Sequence, residues 1–261
     1  SESMILDEIV KKKRQVVEAA KIAKPLSYIK ENLQVAEHAF RKALAEGEWA
    51  LIAECKLGSP SKGRFCHTHT VLELAEEFAS HGATALSIHT DSHFYGSLAD
   101  LRAVRQQVDI PLLRKDFIID PYQIYEARLA GADAVLLIAD ILTVDQLNEF
   151  LKIAEELGMD CLVEAHTAKV LEEVHKTKAL IIGINNRNLK TFVTDLENTF
   201  RLLPQCDNQR MVISESGIGT GQDAIRLRAA GVKGILVGEA LTTGGNLEEK
   251  TKELTLKYFN R

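Results

Sequence analysis

Short apolar runs recur along this chain, and they repeatedly end in a charged or amide residue. Leu51-Ile52-Ala53 runs into Glu54 and Lys56, and Pro111-Leu112-Leu113 runs into Arg114-Lys115-Asp116. Cys161-Leu162-Val163 meets Glu164, Leu180-Ile181-Ile182-Gly183-Ile184 meets Asn185-Asn186-Arg187, and Met211-Val212-Ile213 meets Ser214-Glu215-Ser216-Gly217. Runs this short and apolar predict fully buried strands. Strands are expected near 50–55, 84–88, 111–114, 134–138, 160–164, 180–184, 210–214 and 234–237, with helical periodicity between them over 71–81, 121–130, 144–157 and 221–230. Three helix-to-strand joints share one signal, Gly82-Ala83, Gly131-Ala132 and Gly231-Val232, where a glycine permits the left-handed turn out of a helix. Eight βα units predict a closed (β/α)8 barrel. An open doubly wound sheet is the alternative, but no G-x-G-x-x-G follows the first strand.

Ahead of the first strand, residues 4–24 place Ile5, Ile9, Val16 and Val17 among Lys, Arg and Glu, an amphipathic helix whose Lys11-Lys12-Lys13-Arg14 run reads as its solvated face. Pro25 breaks that pattern, and a second helix is expected over about 35–45 before Gly47 stops it. Residues 1–3 are assigned no structural role. The expected organisation is one domain, with 1–48 a helical extension packed on a barrel formed by 49–261.

Composition narrows the function classes. Hydrophobic residues make up 46% and charged residues 26% of the 261 residues, the profile of a soluble globular protein. A formal net charge of -5 argues against nucleic-acid or acidic-membrane binding, yet leaves room for an anionic small molecule held by a few convergent cations. No apolar stretch approaches the ~20 residues of a membrane span, and no secretory pattern opens the chain. Cys55, Cys66, Cys161 and Cys206 form no C-x-x-C pair. A reduced, cytoplasmic protein is therefore expected.

Candidate chemistry gathers at the strand ends, where a barrel of this kind carries its active site. Side chains alternate faces along a strand, so Glu54 and Lys56 share one face and Cys55 takes the other. Lys115 pairs in the same way with Phe117, and Asn185 with Arg187. A lysine among carboxylates keeps its proton and can donate it in a transition state. Glu164, following Leu162-Val163, is the carboxyl expected to have a raised pKa. The alternative is a structural ion-pair network. No metal set is evident, and His67, His69, His89 and His93 read as ordinary loop histidines. Ser216-Gly217-Ile218-Gly219 and Gly238-Glu239-Ala240-Leu241 follow the last two strands, where glycine-rich loops often hold phosphate; Glu239 would have to turn away from such an anion. The loop Gly58-Ser59-Pro60-Ser61-Lys62-Gly63 reads as a mobile lid or as a plain surface turn.

At these residues the chain resembles the indole-3-glycerol phosphate synthase family, over about 5–241. The motifs stand as Ile52-Ala53-Glu54-Cys55-Lys56 with Ser59-Pro60-Ser61-Lys62-Gly63, Leu113-Arg114-Lys115-Asp116-Phe117-Ile118-Ile119-Asp120, Leu162-Val163-Glu164, Gly183-Ile184-Asn185-Asn186-Arg187-Asn188-Leu189 and Ser214-Glu215-Ser216-Gly217-Ile218. The resemblance implies ring closure of 1-(2-carboxyphenylamino)-1-deoxyribulose 5-phosphate with loss of carbon dioxide and water, using no cofactor or metal. It implies Lys115 as general acid, Glu164 and Lys56 in the later proton transfers, and Glu54 and Asn185 as orienting groups, with Ser216 beside them. It places Ser59, Arg187, Glu215, Ser216 and Gly217 against substrate, and Gly238 with Glu239 at the phosphate. Phe94, Phe117, Leu136 and Leu189 would wall the anthranilate ring, and the N-terminal extension would pack near the mouth. A monomer is expected, with association with other tryptophan-pathway enzymes left open. The chain departs from the family's usual pattern at Leu57-Gly58, His89 and Thr242-Thr243-Gly244-Gly245, which bears on affinity and loop motion. Other readings are phosphoribosylanthranilate isomerase, a lysine Schiff-base aldolase, and a barrel kept only as a binding subunit.

Overall fold

The computed structural model describes residues 2–257, with side chains from residue 5 onward. Eight parallel strands close into a barrel: β1 (Ala50–Glu54), β2 (Ala85–His89), β3 (Leu112–Lys115), β4 (Ala134–Ile138), β5 (Asp160–Ala165), β6 (Ile181–Asn185), β7 (Met211–Glu215) and β8 (Gly234–Val237). Closure comes from β8 pairing with β1, Ala50 opposite Gly234 and Ala53 opposite Val237. Every strand lies where the apolar runs predict one, because a strand buried on both faces has a continuous hydrophobic run as its signature.

Alternation along the strands divides the core in two. Ile52, Leu113, Leu136, Leu162, Ile213 and Leu236 point inward and fill the barrel. Leu51, Ala53, Leu86, Val135, Val163 and Ile235 point outward into a larger layer beneath the helices. Helix starts are written locally. Thr70 with Glu73, Asp120 with Gln123, Thr143 with Gln146 and Thr220 with Asp223 form capping boxes, each satisfying N–H groups that the first turn leaves unpaired. Gly82, Gly131 and Gly231 have φ of 100°, 105° and 105°, the left-handed turns expected at those joints.

The extension wraps the barrel from end to end. Helix α1 (Glu2–Ala23) lies at the mouth, α2 (Leu26–Asn32) runs beside the helix at Pro121–Ala130, and α3 (Ala39–Glu46) closes the floor. Phe40 and Leu44 of α3, both fully buried, join the barrel interior. The second expected helix thus begins at Ala39, not near 35, and α2 is an additional helix that Pro25 starts. Residues between them are strapped to the turn before β5, with the amides of Ala36 and His38 donating to the carbonyls of Leu157 and Gly158 at 2.8 Å. Those backbone bonds replace helical ones. A Cβ on Gly158 would lie 1.8 Å from the Ala36 carbonyl, so the strap requires glycine there.

The basic run on α1 is not uniformly solvated. Lys13 is buried, with Nζ 2.7 Å from Asp91 and 2.9 Å from Asp116. No helix among the described residues is long and apolar enough to cross a membrane.

Candidate active site

Strand parity brings the expected groups to one mouth. Glu54 ends β1 and Lys115 ends β3, with Lys115 Nζ 2.9 Å from Glu54 Oε2. Ser87 Oγ donates to the same oxygen at 2.9 Å. On the other oxygen, His89 Nε2 lies at 3.0 Å and Lys56 Nζ at 3.8 Å. Burial opposes the Glu54 charge, but Lys115 and His89 outweigh it and hold the carboxyl well below the usual range. Glu54 is a fixed anion that organises cations.

Lys115 also lies 4.0 Å from Glu215 Oε1. Burial alone would favour the neutral amine, yet Glu54, Glu215 and Glu164 raise its pKa, so it remains an ammonium. Lys56 is shifted the other way: burial lowers it, and Lys115 and Arg187 reinforce burial against the pull of Glu54. The two lysines therefore have different proton affinities within one site.

The carboxyl pushed up among the carboxylates is that of Glu215. Its burial comes first as the cause, followed by the charge of Glu164 beside it. Neither Glu215 oxygen has a hydrogen-bond partner of its own. Two adjacent buried carboxylates cannot both be charged cheaply, and here it is the Glu215 carboxyl that is pushed well up. Sequence reasoning expected the raised group at Glu164. Both residues stand at strand ends in the sequence, without a sign of which lies deeper. Gly183 makes the room, since a Cβ there would meet Glu215 Oε2 at 2.2 Å.

The cavity above these groups has two communicating parts. One, of about 180 Å³, is walled by Phe94, Phe117, Leu136 and Leu189 and roofed by Ile5, Leu6 and Ile9 of α1; Ser59, Glu164 and Asn185 also line it. The other, of about 510 Å³, lies among Lys62, Ser216, Gly217, Gly219, Gly238 and Glu239. Lys56, Lys115 and Arg187 line both. At the join, Ser216 Oγ donates to Asn185 Oδ1 at 2.9 Å, and the Arg187 amide donates to the same atom at 3.0 Å. Ser216 has φ of 72° and Gly217 of 79°. The serine has left-handed backbone held in place by its hydrogen bonds, local strain of a kind that clusters at functional sites.

The loop after β1 forms a small hairpin, with Gly58 opposite Arg64 and Ser59 opposite Gly63. Its Ser59, Pro60 and Ser61 line the first part of the cavity and its Lys62 lines the second. Lys62 Nζ reaches Glu239 Oε1 at 2.5 Å, and Arg187 Nη2 donates to Ser61 Oγ at 3.1 Å. The Glu239 carboxylate is thereby turned toward Lys62.

His89 departs from its reading as an ordinary loop histidine. It is buried, stacks on Phe94 with centroids 4.7 Å apart, and faces Glu54. Its parity with Ser87 was the available signal. His93 does remain in the following loop, 2.7 Å from Asp91. Lys13 and His166 were also missed; the first looked like one of four surface cations, and the second stood alone in sequence. Among the described residues, no group of three or more His, Cys, Asp or Glu could hold a metal ion.

A parallel barrel that gathers two lysines and three carboxylates where its strands end has the form of a (β/α)8-barrel enzyme, with its charged groups on the face that carries the active site. Solved structures share that fold. 3-Hexulose-6-phosphate synthase from Salmonella typhimurium superposes with a TM-score of 0.65 at 12% identity, covering 79% of this chain and 96% of that one. Thiamine phosphate pyrophosphorylase from Pyrococcus furiosus gives 0.59 at 18%, covering 82% and 95%. Sequence comparison is more specific: the indole-3-glycerol phosphate synthase family model matches residues 6–254. The chain is 45% identical over 258 residues to indole-3-glycerol phosphate synthase of Desulforamulus reducens, covering 97% of each. It is 44% identical over 238 residues to that of Bacteroides thetaiotaomicron, covering 90% of this chain and 91% of the relative. The chain belongs to the indole-3-glycerol phosphate synthase family.

Proposed function

We infer that this protein closes the indole ring, converting 1-(2-carboxyphenylamino)-1-deoxyribulose 5-phosphate to indole-3-glycerol phosphate, carbon dioxide and water. The observation that carries the reading is the placement of Lys115. It is a half-buried ammonium between Glu54 and the Glu164–Glu215 pair, at the junction of an apolar and a polar half-cavity. The apolar half suits the anthranilate ring, with Phe94, Phe117, Leu136 and Leu189 against its faces. The polar half suits the phosphate, where Lys56, Lys62 and Arg187 supply charge and the loops of Ser216, Gly217 and Gly238 supply backbone N–H groups.

As the aromatic carbon attacks the substrate carbonyl, negative charge develops on oxygen. Lys115 meets that charge and protonates it, because an alkoxide is far more basic than an amine. Glu54 remains ionised throughout and keeps Lys115 and Lys56 in place. Loss of carbon dioxide restores the ring electrons. Dehydration then needs one acid and one base, roles assigned to the Glu164–Glu215 pair and to Lys56. Asn185 and Ser216 orient the substrate hydroxyls. Every step uses side chains of the protein, in a monomer acting in the cytoplasm.

Two neighbouring chemistries fit less well. An isomerase using a cysteine base at the end of β1 would need Cys55, but that side chain packs outward beneath the helices and burial raises its pKa. A Schiff-base aldolase, with Lys115 or Lys56 as nucleophile, needs a neutral lysine; Lys115 is held as a cation, and Lys56, whose pKa burial lowers, is the lysine that trapping must test. Incubation with the carboxyphenylamino-deoxyribulose phosphate should produce indole absorbance and fluorescence. Borohydride trapping of a lysine adduct, with no indole formed, would overturn the reading.

For Glu164, the test is Glu164→Gln in single turnover. A late role predicts substrate loss and carbon dioxide release before indole appears. A common lag from the start would move Glu164 into the condensation.

A further inference from the structure

Ring closure of this substrate consumes a proton. One proton converts the carbonyl oxygen to a hydroxyl, and another lets that hydroxyl leave as water. One is returned when the carbon next to nitrogen loses its hydrogen. The substrate carboxylate departs as carbon dioxide and leaves its electron pair to the ring. Each turnover therefore takes up one proton net, and the site must be reloaded from solvent before the next turnover.

Behind Glu164, away from the cavity, lies a buried imidazole with one free nitrogen. His166 follows β5 and is 5% exposed. Its Nδ1 is 2.9 Å from Asp140 Oδ1, and its Nε2 is 4.0 Å from Glu164 Oε2. That Nε2 has no hydrogen-bond partner. Asp140 sits in the turn after β4, on an exposed residue. The order Glu215, Glu164, His166, Asp140 thus runs from the centre of the site to the surface. Asn198 of the helix at Glu197–Leu202 fixes the backbone of His166, its Nδ2 donating to the His166 carbonyl at 3.0 Å.

We propose that His166 and Asp140 form the inlet through which a solvent proton reaches the Glu164–Glu215 pair. The inference rests on the assignment of Glu164 above, and His166 acts through Glu164 without touching substrate. A small rotation of either side chain closes 4.0 Å to hydrogen-bond length. The imidazolium then gives its Nε2 proton to Glu164, and no bond between heavy atoms changes. The neutral ring, left with its proton on Nδ1, turns so that the bare Nε2 meets water on the Asp140 side, takes one proton from it and turns back. The titratable groups facing the ring are Asp140 and Glu164, and against burial both favour its charged form. A histidine so placed changes charge within reach of physiological pH.

His166→Gln and Asp140→Asn test the inlet. In His166→Gln, steady-state kcat should fall at least roughly tenfold with KM little changed. The first turnover should stay fast, since the site begins loaded, and added imidazole should restore the later ones. In Asp140→Asn, a surface change that folding tolerates, the alkaline limb of the kcat profile should move to lower pH, because the ring loses a carboxylate that favours its cation. A His166→Gln enzyme with normal kcat and normal pH profile would overturn the inlet. So would one whose first turnover slows as much as the rest without imidazole rescue, or an unmoved profile in Asp140→Asn. Glu164→Gln separates the two inferences: full activity in that variant removes the Glu164 assignment itself, whereas an impaired Glu164→Gln beside normal His166 and Asp140 variants removes only the inlet.

Discussion

At the floor of the barrel, Asp160 lies 2.7 Å from His38 Nδ1 and accepts from the Arg41 amide at 2.8 Å. At the mouth, Glu215 has both oxygens buried with no hydrogen bond, beside Glu164. Both ends are capped by the same extension, α3 below and α1 above. The floor has each carboxylate matched to a donor around an apolar plug, Phe40 and Leu44. The mouth crowds three carboxylates around one ammonium. An arrangement selected for stability resembles the first. The second keeps an incompletely satisfied polar cluster, the kind of local conflict that proteins retain where chemistry is done. The comparison predicts that changes at the mouth cost activity and changes at the floor cost stability.

The largest effect is expected at the mouth. Lys115→Ala removes the proposed acid and should lower kcat by ~10²–10⁴-fold, roughly 3–5 kcal/mol of transition-state stabilisation. KM should change much less. A folded Lys115→Ala enzyme with near-normal kcat would end the assignment.

The counterpart at the floor is Phe40→Ala. A fully buried aromatic lost from a plug should cost about 3–5 kcal/mol of unfolding free energy, read from denaturant titration. Activity of the remaining folded protein should be unchanged, since Phe40 lies at the opposite end from Lys115. We also propose that residues 1–48 and 49–261 form one cooperative unit, so this variant should still melt in a single transition. Two separated transitions would show the extension unfolding alone.

Between these extremes stands Lys13, which ties α1 to the mouth but has no part in the chemistry. Removing one partner of a buried pair leaves the other charge uncompensated, so Lys13→Met should cost about 3 kcal/mol. Asp116 keeps Arg114 as a second partner at 3.2 Å, which limits the loss. The pH dependence follows from the directions of the shifts. Burial opposes the Lys13 charge, but Asp116 and Asp91 raise its pKa, so its contribution is full below about pH 10 and disappears as pH rises through the folded value. Arg114 and Lys13 hold the Asp116 carboxyl down against burial, so that contribution is full above about pH 4 and disappears as pH falls through its lower folded value. The stability difference between wild type and Lys13→Met should therefore be flat between these limits and shrink outside them. A difference that peaks near neutrality would contradict the pairing.

Much of this contrast was legible in the sequence. All eight strands could be read because apolar runs of this length admit few alternatives, and parity put Glu54 with Lys56 and Asn185 with Arg187 correctly. What escaped depended on contacts across long sequence separations. Lys13 has the same local pattern as Lys11 and Lys12, and only the position of Asp91 and Asp116 makes it different. The strap before α3 looks helical until Leu157 and Gly158 offer its amides better partners. The raised carboxyl of Glu215 depends on how deeply it is buried among its neighbours, which strand periodicity does not encode.

The smallest expected effect tests the polar half-cavity. Gly238 is an obvious place to add an opposing charge, but a Cβ there would lie 3.2 Å from Glu54 Cβ and 3.3 Å from its Oε1. Gly238→Asp would disturb the anion that positions Lys115, so lost activity could not be assigned to phosphate binding. Gly219 lines the same half-cavity, and a Cβ on it meets nothing within 4 Å. Its amide donates to Asp223 Oδ2 at 3.0 Å and needs no change on substitution. Gly219→Asp should therefore fold normally and place a carboxylate beside the proposed phosphate position. Repulsion across a few ångström of partly screened space is worth ~1–2 kcal/mol, which corresponds to a KM raised by about tenfold. Inorganic phosphate should compete with substrate in the parent enzyme, and its inhibition constant should rise in parallel. Gly219→Ala, which adds bulk without charge, should leave both constants nearly unchanged. Equal KM values in Gly219→Asp and the parent would move the phosphate away from the β7 and β8 loops.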